Sequence, residues 1–341
     1  MQKIIKGQGT IMQAGELLAE NGYATIFLIT GRHYQLTDEF ENLKDGVVDH
    51  YVKSGPNVEE TQVEIAYQHF LKEPSAAIVA IGGGSVMDLA KAIIYKQVQG
   101  NQEIPFFLAA PTTAGSGSEA TQFAVIYKDK KKLSLEHTAL LPQIVILDHG
   151  LLNSLSPYQS AVSGMDVLCQ SIEALWNKNV TEDARQYATE SIKLWNESFL
   201  PGVKKTNPAA VEKMLMASHL AGKAISITRS TGPHAMSYYL TSHHGVPHGH
   251  AVALFLPLFF IYNQPSPEIC STIGAENPDE AKEIVQQIMK QAGLAITLAE
   301  LGIDKTEIAD RLVDEVNEDR FSNNPVAFNR AGLIELIKIH L

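Results

Sequence analysis

The chain has 341 residues, long enough for two domains or one large one, and its 45% apolar and 19% charged content is ordinary for a compact soluble protein. A net charge of −11, with no basic stripe and no interleaving of aromatic and basic residues, argues against general nucleic-acid binding. The longest apolar run, 251–262, is too short to span a bilayer and contains Pro257, the N-terminus has no apolar signal core, and Cys169 and Cys270 give no disulfide framework, so the expectation is a cytoplasmic protein, in a reducing compartment and outside the membrane.

Residues 25–30, TIFLIT, predict a buried strand ending at Gly31, and 47–52 a weaker one. Gly55-Pro56-Asn57 is a loop, followed by a helical pattern over 58–71. The fully apolar strand 76–81, AAIVAI, runs into Gly82-Gly83-Gly84-Ser85 and then a helix, VMDLAKAIIYKQ. A third strand over 105–110 ends at Pro111-Thr112-Thr113, and 122–127 and 143–147 read as further strands, with the basic run 128–132 as a solvated hairpin tip. Apolar strands alternating with helices imply a parallel sheet covered on both faces. From Leu151 onward almost only helical periodicity remains, with Pro157, Pro201 and Pro208 as breaks. The expected architecture is an α/β nucleotide-binding domain over 1–150 and an all-helical domain, binding metal and substrate, over 151–341.

Glycines at 82–84 let the backbone approach a pyrophosphate, and the following helix N-terminus offers free N–H groups and positive potential. Ser85 is expected to cap that helix or donate to phosphate. Asp88, one turn on, is read equally as a cap or as a hydrogen-bonding partner of the cofactor. The second loop, 109–119, gathers hydroxyls and glycines after a strand, and two such loops at two strand ends form a cofactor-site pattern. After the first strand Thr30 is followed by Gly31-Arg32-His33, so the acidic group that would bind a ribose 2′-OH is missing and a cation is present. That favours NADPH over NADH.

The stretch 232–251 holds five of the twelve histidines around a Gly-Val-Pro break, so it reads as a helix end, a turn and a helix start. Borderline cations such as Zn²⁺ and Fe²⁺ favour imidazole completed by a carboxylate. Asp166, on an apolar helical run, supplies one and shares a face with Gln170 four residues later. Asp166, His234 and His248 are therefore expected to hold a divalent metal. Polar groups at helix ends, satisfied by hydrogen bonds, are the competing reading.

These segments together resemble the iron-containing (group III) alcohol dehydrogenases nearly end to end: GPN at 55–57, GGGS at 82–85, AAPTTAGSGSE at 109–119, the Asp-bearing helix at 164–174, the His-rich segment at 232–250 and NNP at 323–325. The resemblance implies a dehydroquinate synthase-like fold, an NAD(P)-linked reaction on a small alcohol or aldehyde, and a homo-oligomer, commonly a dimer. It puts Gly83, Gly84, Ser85, Thr112, Thr113, Ser118 and Lys132 at cofactor-contacting positions. The ligand set it implies is Asp, His, His, His, and at the position four after the Asp this chain has Gln170, whose amide oxygen is expected at most as a weak fourth ligand of the metal. The family histidine given a proton-transfer or substrate role, four after the first His ligand, is Tyr238 here.

With SEATQFAVIY at 118–127 and HAMSYYLTS at 234–242, these departures resemble the phosphonoacetaldehyde reductases, which make 2-hydroxyethylphosphonate. A phosphonate needs cationic or hydroxyl donors. The segment 223–231 before His234 is rich in them: Arg229 is the first choice, then Ser226 and Ser237. An arginine capping a helix C-terminus is the alternative. Proton relay is expected from Tyr238, His244 or His250. Three rivals stand beside this reading: a dehydrogenase of another small alcohol, diol or aldehyde; a dehydroquinate synthase-like lyase, which would need more basic residues near the histidines; and a cofactor-binding protein without turnover.

Overall fold

Four short apolar strands, two mixed edge strands and a two-stranded hairpin build the first half of the chain with their connecting helices. A computed structural model describes residues 2–32, 34, 43, 46–129 and 131–341, so His33 and Lys130 lie outside the described residues. The chain forms two compact units, Met1–Ser154 and Leu155–Leu341.

In the first unit, strands β1 (Lys3–Lys6), β2 (Ile26–Gly31), β3 (Val47–Lys53), β4 (Ala77–Gly82), β5 (Phe107–Pro111) and β8 (Ile144–Leu147) form a parallel sheet in the order β1-β8-β5-β4-β2-β3. A separate antiparallel hairpin joins β6 (Phe123–Lys128) to β7 (Lys131–Glu136). Because strand side chains alternate, Phe27, Ile29, Ile78, Ala80 and Phe107 enter one core, whereas Ile26, Leu28, Val79, Ile81 and Leu108 enter the other. Both faces are covered, as a parallel sheet requires. Helices α2 (Glu60–Phe70) and α3 (Gly84–Gln99) supply Val63, Phe70, Leu89 and Ile93 to the first core, and α1 (Ala14–Glu20) supplies Leu17 and Leu18 to the second. The strand order reverses between β2 and β4, and open α/β sheets bind ligands beyond the carboxyl ends of the strands at such a point.

The second unit is helical throughout its described residues: α4 (Pro157–Trp176), α5 (Glu182–Val203), α6 (Pro208–Thr228), α7 (Gly232–His244), α8 (His248–Asn263), α9 (Pro267–Ser271), α10 (Pro278–Gln291), α11 (Lys305–Asp314), α12 (Glu318–Phe321) and α13 (Arg330–His340). Ser156 and Gln159 form a capping box that starts α4. Helix α8 is apolar on nearly every face and correspondingly buried. Two of its contacts depend on glycine: a Cβ on Gly232 would lie 1.9 Å from the Phe259 ring, and one on Gly249 would lie 2.2 Å from the Val162 carbonyl oxygen of α4. Among the described residues no helix is long and apolar enough to cross a membrane.

Several elements differ from the sequence reading. Strand β1 was not expected; it pairs with Ile144–Leu147, a partner far away along the chain, and only four residues carry it. Pro157 and Pro208 open helices at their first turn, where a missing N–H costs nothing, while Pro201 sits inside the last turn of α5 and breaks nothing. The N-cap of α3 is Gly83, in extended conformation, so Ser85 lies within the first turn and does not cap it.

Candidate functional site

Asp166, His234 and His248 come together: one ligand atom from each lies within 4.8 Å of the others. Asp166 points from the middle of α4, His234 from the first turn of α7 and His248 from the first residue of α8. The Gly-Val-Pro turn allows this. Gly245 ends α7 with φ +66, a left-handed conformation that glycine takes freely, and Pro247 precedes the next helix start.

The imidazole of His234 is held from both sides. Its Nδ1 hydrogen-bonds Glu173, a fully buried residue seven positions after Asp166 on the same helix face. Glu173 also accepts the Thr231 hydroxyl at 2.9 Å and the Thr231 backbone N–H, and Trp176 Nε1 donates to that hydroxyl at 2.9 Å. With Nδ1 engaged, Nε2 faces Asp166 Oδ1 at 3.3 Å. That oxygen is buried and makes no well-formed hydrogen bond beyond this ionic contact. A buried carboxylate oxygen that lacks a well-formed hydrogen bond, beside imidazole nitrogens, fits a cation, and a carboxylate behind the distal nitrogen of a ligand histidine is the usual support of such a site. Glu173 escaped the sequence reading, although the spacing Asp166, Gln170, Glu173 on an otherwise apolar helix was its signal.

Gln170 hydrogen-bonds the Asp166 carboxylate. It is therefore seen orienting a candidate ligand. Burial favours the neutral acid at Asp166, but the two imidazoles and Gln170 outweigh it and hold the carboxyl below its usual range. At His234 burial opposes the imidazolium, yet Glu173 and Asp166 prevail and push its pKa up to about 10. In the metal-free protein this raised value stabilises the fold fully below about pH 6.5 and is lost as pH rises through about 10. A cation must expel that proton from Nε2. Metal affinity is thus expected to rise about tenfold per pH unit between pH 6.5 and 8.5, with about one proton released per ion. Calorimetric titration in buffers of different ionisation enthalpy measures this, and a flat affinity across that range would refute it.

The other residues named from the sequence scatter. The ring of Tyr238 lies parallel to that of His248, with centroids 6.2 Å apart, half-buried beside the group. His244 is exposed and packs on Tyr239. His250 is buried, with Nε2 on Ala295 O at 2.9 Å and Nδ1 on the Tyr158 hydroxyl at 3.2 Å. Neither His244 nor His250 belongs to the carboxylate–imidazole group. Ser237 is buried and its hydroxyl donates to His234 O at 2.8 Å. Ser226 is half-buried, and Arg229 stands exposed at the C-cap of α6 with φ +65 and ψ 175. Cys169 is buried in packing, and burial pushes its thiol well up.

In the first unit the two glycine loops lie side by side at the carboxyl ends of β4 and β5. Thr112 N–H donates to Gly82 O at 3.0 Å, and a Cβ on Gly84 would fall 2.7 Å from Ser116 Oγ. A Cβ on Gly83 would stand 3.4 Å from the Thr113 side chain. Gly31 ends β2 next to them, 3.9 Å from Val86 by the same measure, and Arg32 follows it exposed. Ser85, Thr112 and Thr113 are half-buried, so the structure does assemble these residues around the N-terminus of α3. Ser118 is buried, its hydroxyl donating to Asp88 at 2.9 Å. Lys132 is on β7, and its charge acts on Asp88.

A doubly covered parallel sheet with glycine loops at its switch point, joined to a helical unit bearing a carboxylate–imidazole group, defines a two-part oxidoreductase fold. Residues 1–149 match the family described as iron-containing alcohol dehydrogenase, and residues 160–341 match the Fe-containing alcohol dehydrogenase family, C-terminal. The chain belongs to the iron-containing alcohol dehydrogenase family, oxidoreductases that act on CH–OH groups. It is 32% identical over 256 residues to the phosphonoacetaldehyde reductase of Streptomyces viridochromogenes, covering 68% of this chain and 64% of that protein. It is 32% identical over 283 residues to the 1-propanol dehydrogenase PduQ of Salmonella typhimurium, covering 76% of each. The crystal structure of sulfoacetaldehyde reductase from Bifidobacterium kashiwanohense in complex with NAD⁺ superposes with a TM-score of 0.92 at 28% identity, over 99% of this chain and 96% of that one.

Proposed function

We propose that this chain reduces phosphonoacetaldehyde to 2-hydroxyethylphosphonate with NADPH, and that Asp166, His234 and His248 hold a divalent cation, Fe²⁺ or Zn²⁺. The observation that carries the metal-dependent reading is the buried Asp166 oxygen beside His234 and His248. The substrate class draws on the relatives, since phosphonoacetaldehyde and sulfoacetaldehyde both carry a tetrahedral oxyanion on the carbon next to the carbonyl. Arg32, directly after β2 with no acidic residue at 30–32, supports NADPH; the NAD⁺ of the structural neighbour keeps NADH as the alternative donor.

When bound, the cation supplies Lewis-acid polarisation of the substrate carbonyl and the nicotinamide supplies the hydride. The chain's own residues do the rest. Glu173 fixes the His234 tautomer, and Gln170 steadies Asp166. We assign pyrophosphate binding to Gly83, Gly84 and Ser85 at the N-terminus of α3, with Gly31, Arg32, Thr112, Thr113, Ser118 and Lys132 around it. We assign the phosphonate to Arg229, with Ser226 as a further donor; the Ser237 hydroxyl, also expected there, already donates to His234 O. The proton relay goes to Tyr238, beside His248; both nitrogens of His250 are already engaged.

The test is NADPH oxidation by protein loaded separately with Fe²⁺ and Zn²⁺, offering phosphonoacetaldehyde beside butyraldehyde. The phosphonate should be preferred about a hundredfold in kcat/KM, and Arg229→Ala should remove about 10- to 100-fold of its turnover, the worth of one charge-assisted hydrogen bond, while leaving butyraldehyde nearly untouched. A second reading, a dehydrogenase of short neutral alcohols, draws on the 1-propanol dehydrogenase relative. Reversed preference in the same assay would favour it and remove the phosphonate.

A further inference from the structure

Lys91 is a buried lysine that the chemistry above does not use. It lies on α3 two turns past Gly84, with no side-chain surface exposed. Its Nζ donates to Ser118 O at 2.5 Å, Thr121 O at 2.8 Å, Thr121 Oγ1 at 2.9 Å, Phe123 O at 2.9 Å and Ser118 Oγ at 3.2 Å. Asp88, one turn earlier, accepts the Ser118 hydroxyl at 2.9 Å and Val125 N–H at 3.2 Å. All these partners belong to one segment, 118–125, the continuation of the second glycine loop. The front of that loop is tied to β4 through Thr112 N–H and Gly82 O, 3.0 Å apart.

We propose that Lys91 and Asp88 are positioning residues for the nicotinamide cofactor: they clamp the segment 112–125 onto α3, so that the two glycine loops present one preorganised cradle. This rests on the cofactor placement proposed above. Burying an ammonium is unfavourable unless its protons are taken, and an apolar side chain of similar volume is often as stable or more so. Packing alone therefore does not call for a lysine here. What the ammonium adds is convergence: the backbone carbonyls of Ser118, Thr121 and Phe123 aim at one point, where a single side chain ties them together. Asp88 uses both oxygens on the same segment, so it acts on the cofactor through the loop.

Burial pulls the Lys91 pKa down to about 8 against the opposing charges of Asp88 and Glu119, while Lys53 and Lys132 act on Asp88. Once deprotonated, the amine keeps two donors and turns a lone pair toward carbonyl oxygens.

The experiment compares wild type and Lys91→Met as full-length, metal-loaded chains. NADPH and NADH binding is followed by fluorescence, and amide exchange is followed over 112–125. The expected result is a cofactor Kd raised about thirtyfold with the aldehyde KM at saturating cofactor unchanged, because preorganisation enters the binding step. Wild-type affinity should also fall above about pH 8, whereas the variant is flat from pH 7 to 9.5. Thr121→Val, which removes one hydroxyl acceptor, should shift Kd in the same direction by a smaller factor and serves if Lys91→Met does not fold. A Kd within twofold of wild type in the folded variants, or exchange over 112–125 unchanged, would overturn the clamp. Faster exchange over 112–125 in Lys91→Met than in wild type, with wild type itself binding neither NADPH nor NADH, would instead overturn the cofactor placement and leave the clamp standing.

Discussion

Asp166→Ala is expected to purify with less than about a tenth of an equivalent of divalent metal, against about one per chain in the wild type. Turnover should fall by at least about three orders of magnitude, the scale of losing carbonyl polarisation. The side chain removed is the sole carboxylate of the group, and its Oδ1 is the buried oxygen that makes no well-formed hydrogen bond beyond its ionic contact with His234. Two imidazoles alone make a weak site, and His234 would keep its proton through Glu173. Glu173→Gln should do less, about 10- to 100-fold in metal affinity, because it leaves every candidate ligand in place and weakens only the partner of Nδ1. Elemental analysis of the two purified variants separates the roles. Wild-type metal content in Asp166→Ala would remove it from the ligand set, and equal losses in both would mean that Glu173 is itself a ligand.

Much of this site was legible because its residues are chemically out of place in their segments. Glycines clustered after apolar strands, histidines around a Gly-Val-Pro break and an aspartate in a greasy helix each ask for a ligand, and the structure gathers them as two groups. What stayed hidden depends on contacts between distant segments. Glu173 reads as an ordinary helix residue until Thr231 and His234, 58 and 61 positions later, are seen to use it. Lys91 reads as the polar edge of an amphipathic helix until the 118–123 carbonyls are brought to it.

Adjacency along the chain does not by itself set where a side chain lies. Arg229 precedes His234 by five residues, but it occupies an exposed C-cap whose φ of +65 and ψ of 175 is a region that non-glycine residues rarely take. Asn177 Nδ2 holds that turn through Thr228 O at 3.0 Å and Arg229 O at 3.1 Å. His250 is two residues from His248, and helix geometry turns it to a different face, toward Ala295 and Tyr158.

Gly249→Ala is expected to damage the metal site without touching a ligand. Its Cβ would lie 2.2 Å from Val162 O and 3.1 Å from Asp166 Cβ, and real contacts do not close to the first distance, so α8 and α4 must move apart. The residue before it is His248 and the residue one turn after Val162 is Asp166, so the displacement falls directly on two of the three candidate ligands. Overpacking of this kind costs about 1–3 kcal/mol or more, and a shift of even an ångström in one ligand is enough to lose metal. Gly245→Ala, four residues earlier, separates this mechanism from general helix damage. Its Cβ meets nothing within 4 Å, and only the φ of +66 penalises it. It should cost about 1 kcal/mol through backbone strain and leave metal content unchanged. Denaturation midpoints read with metal content decide the matter. If Gly249→Ala lost stability like Gly245→Ala and kept its metal, the close approach of α8 to α4 would not be what sets the distance between His248 and Asp166.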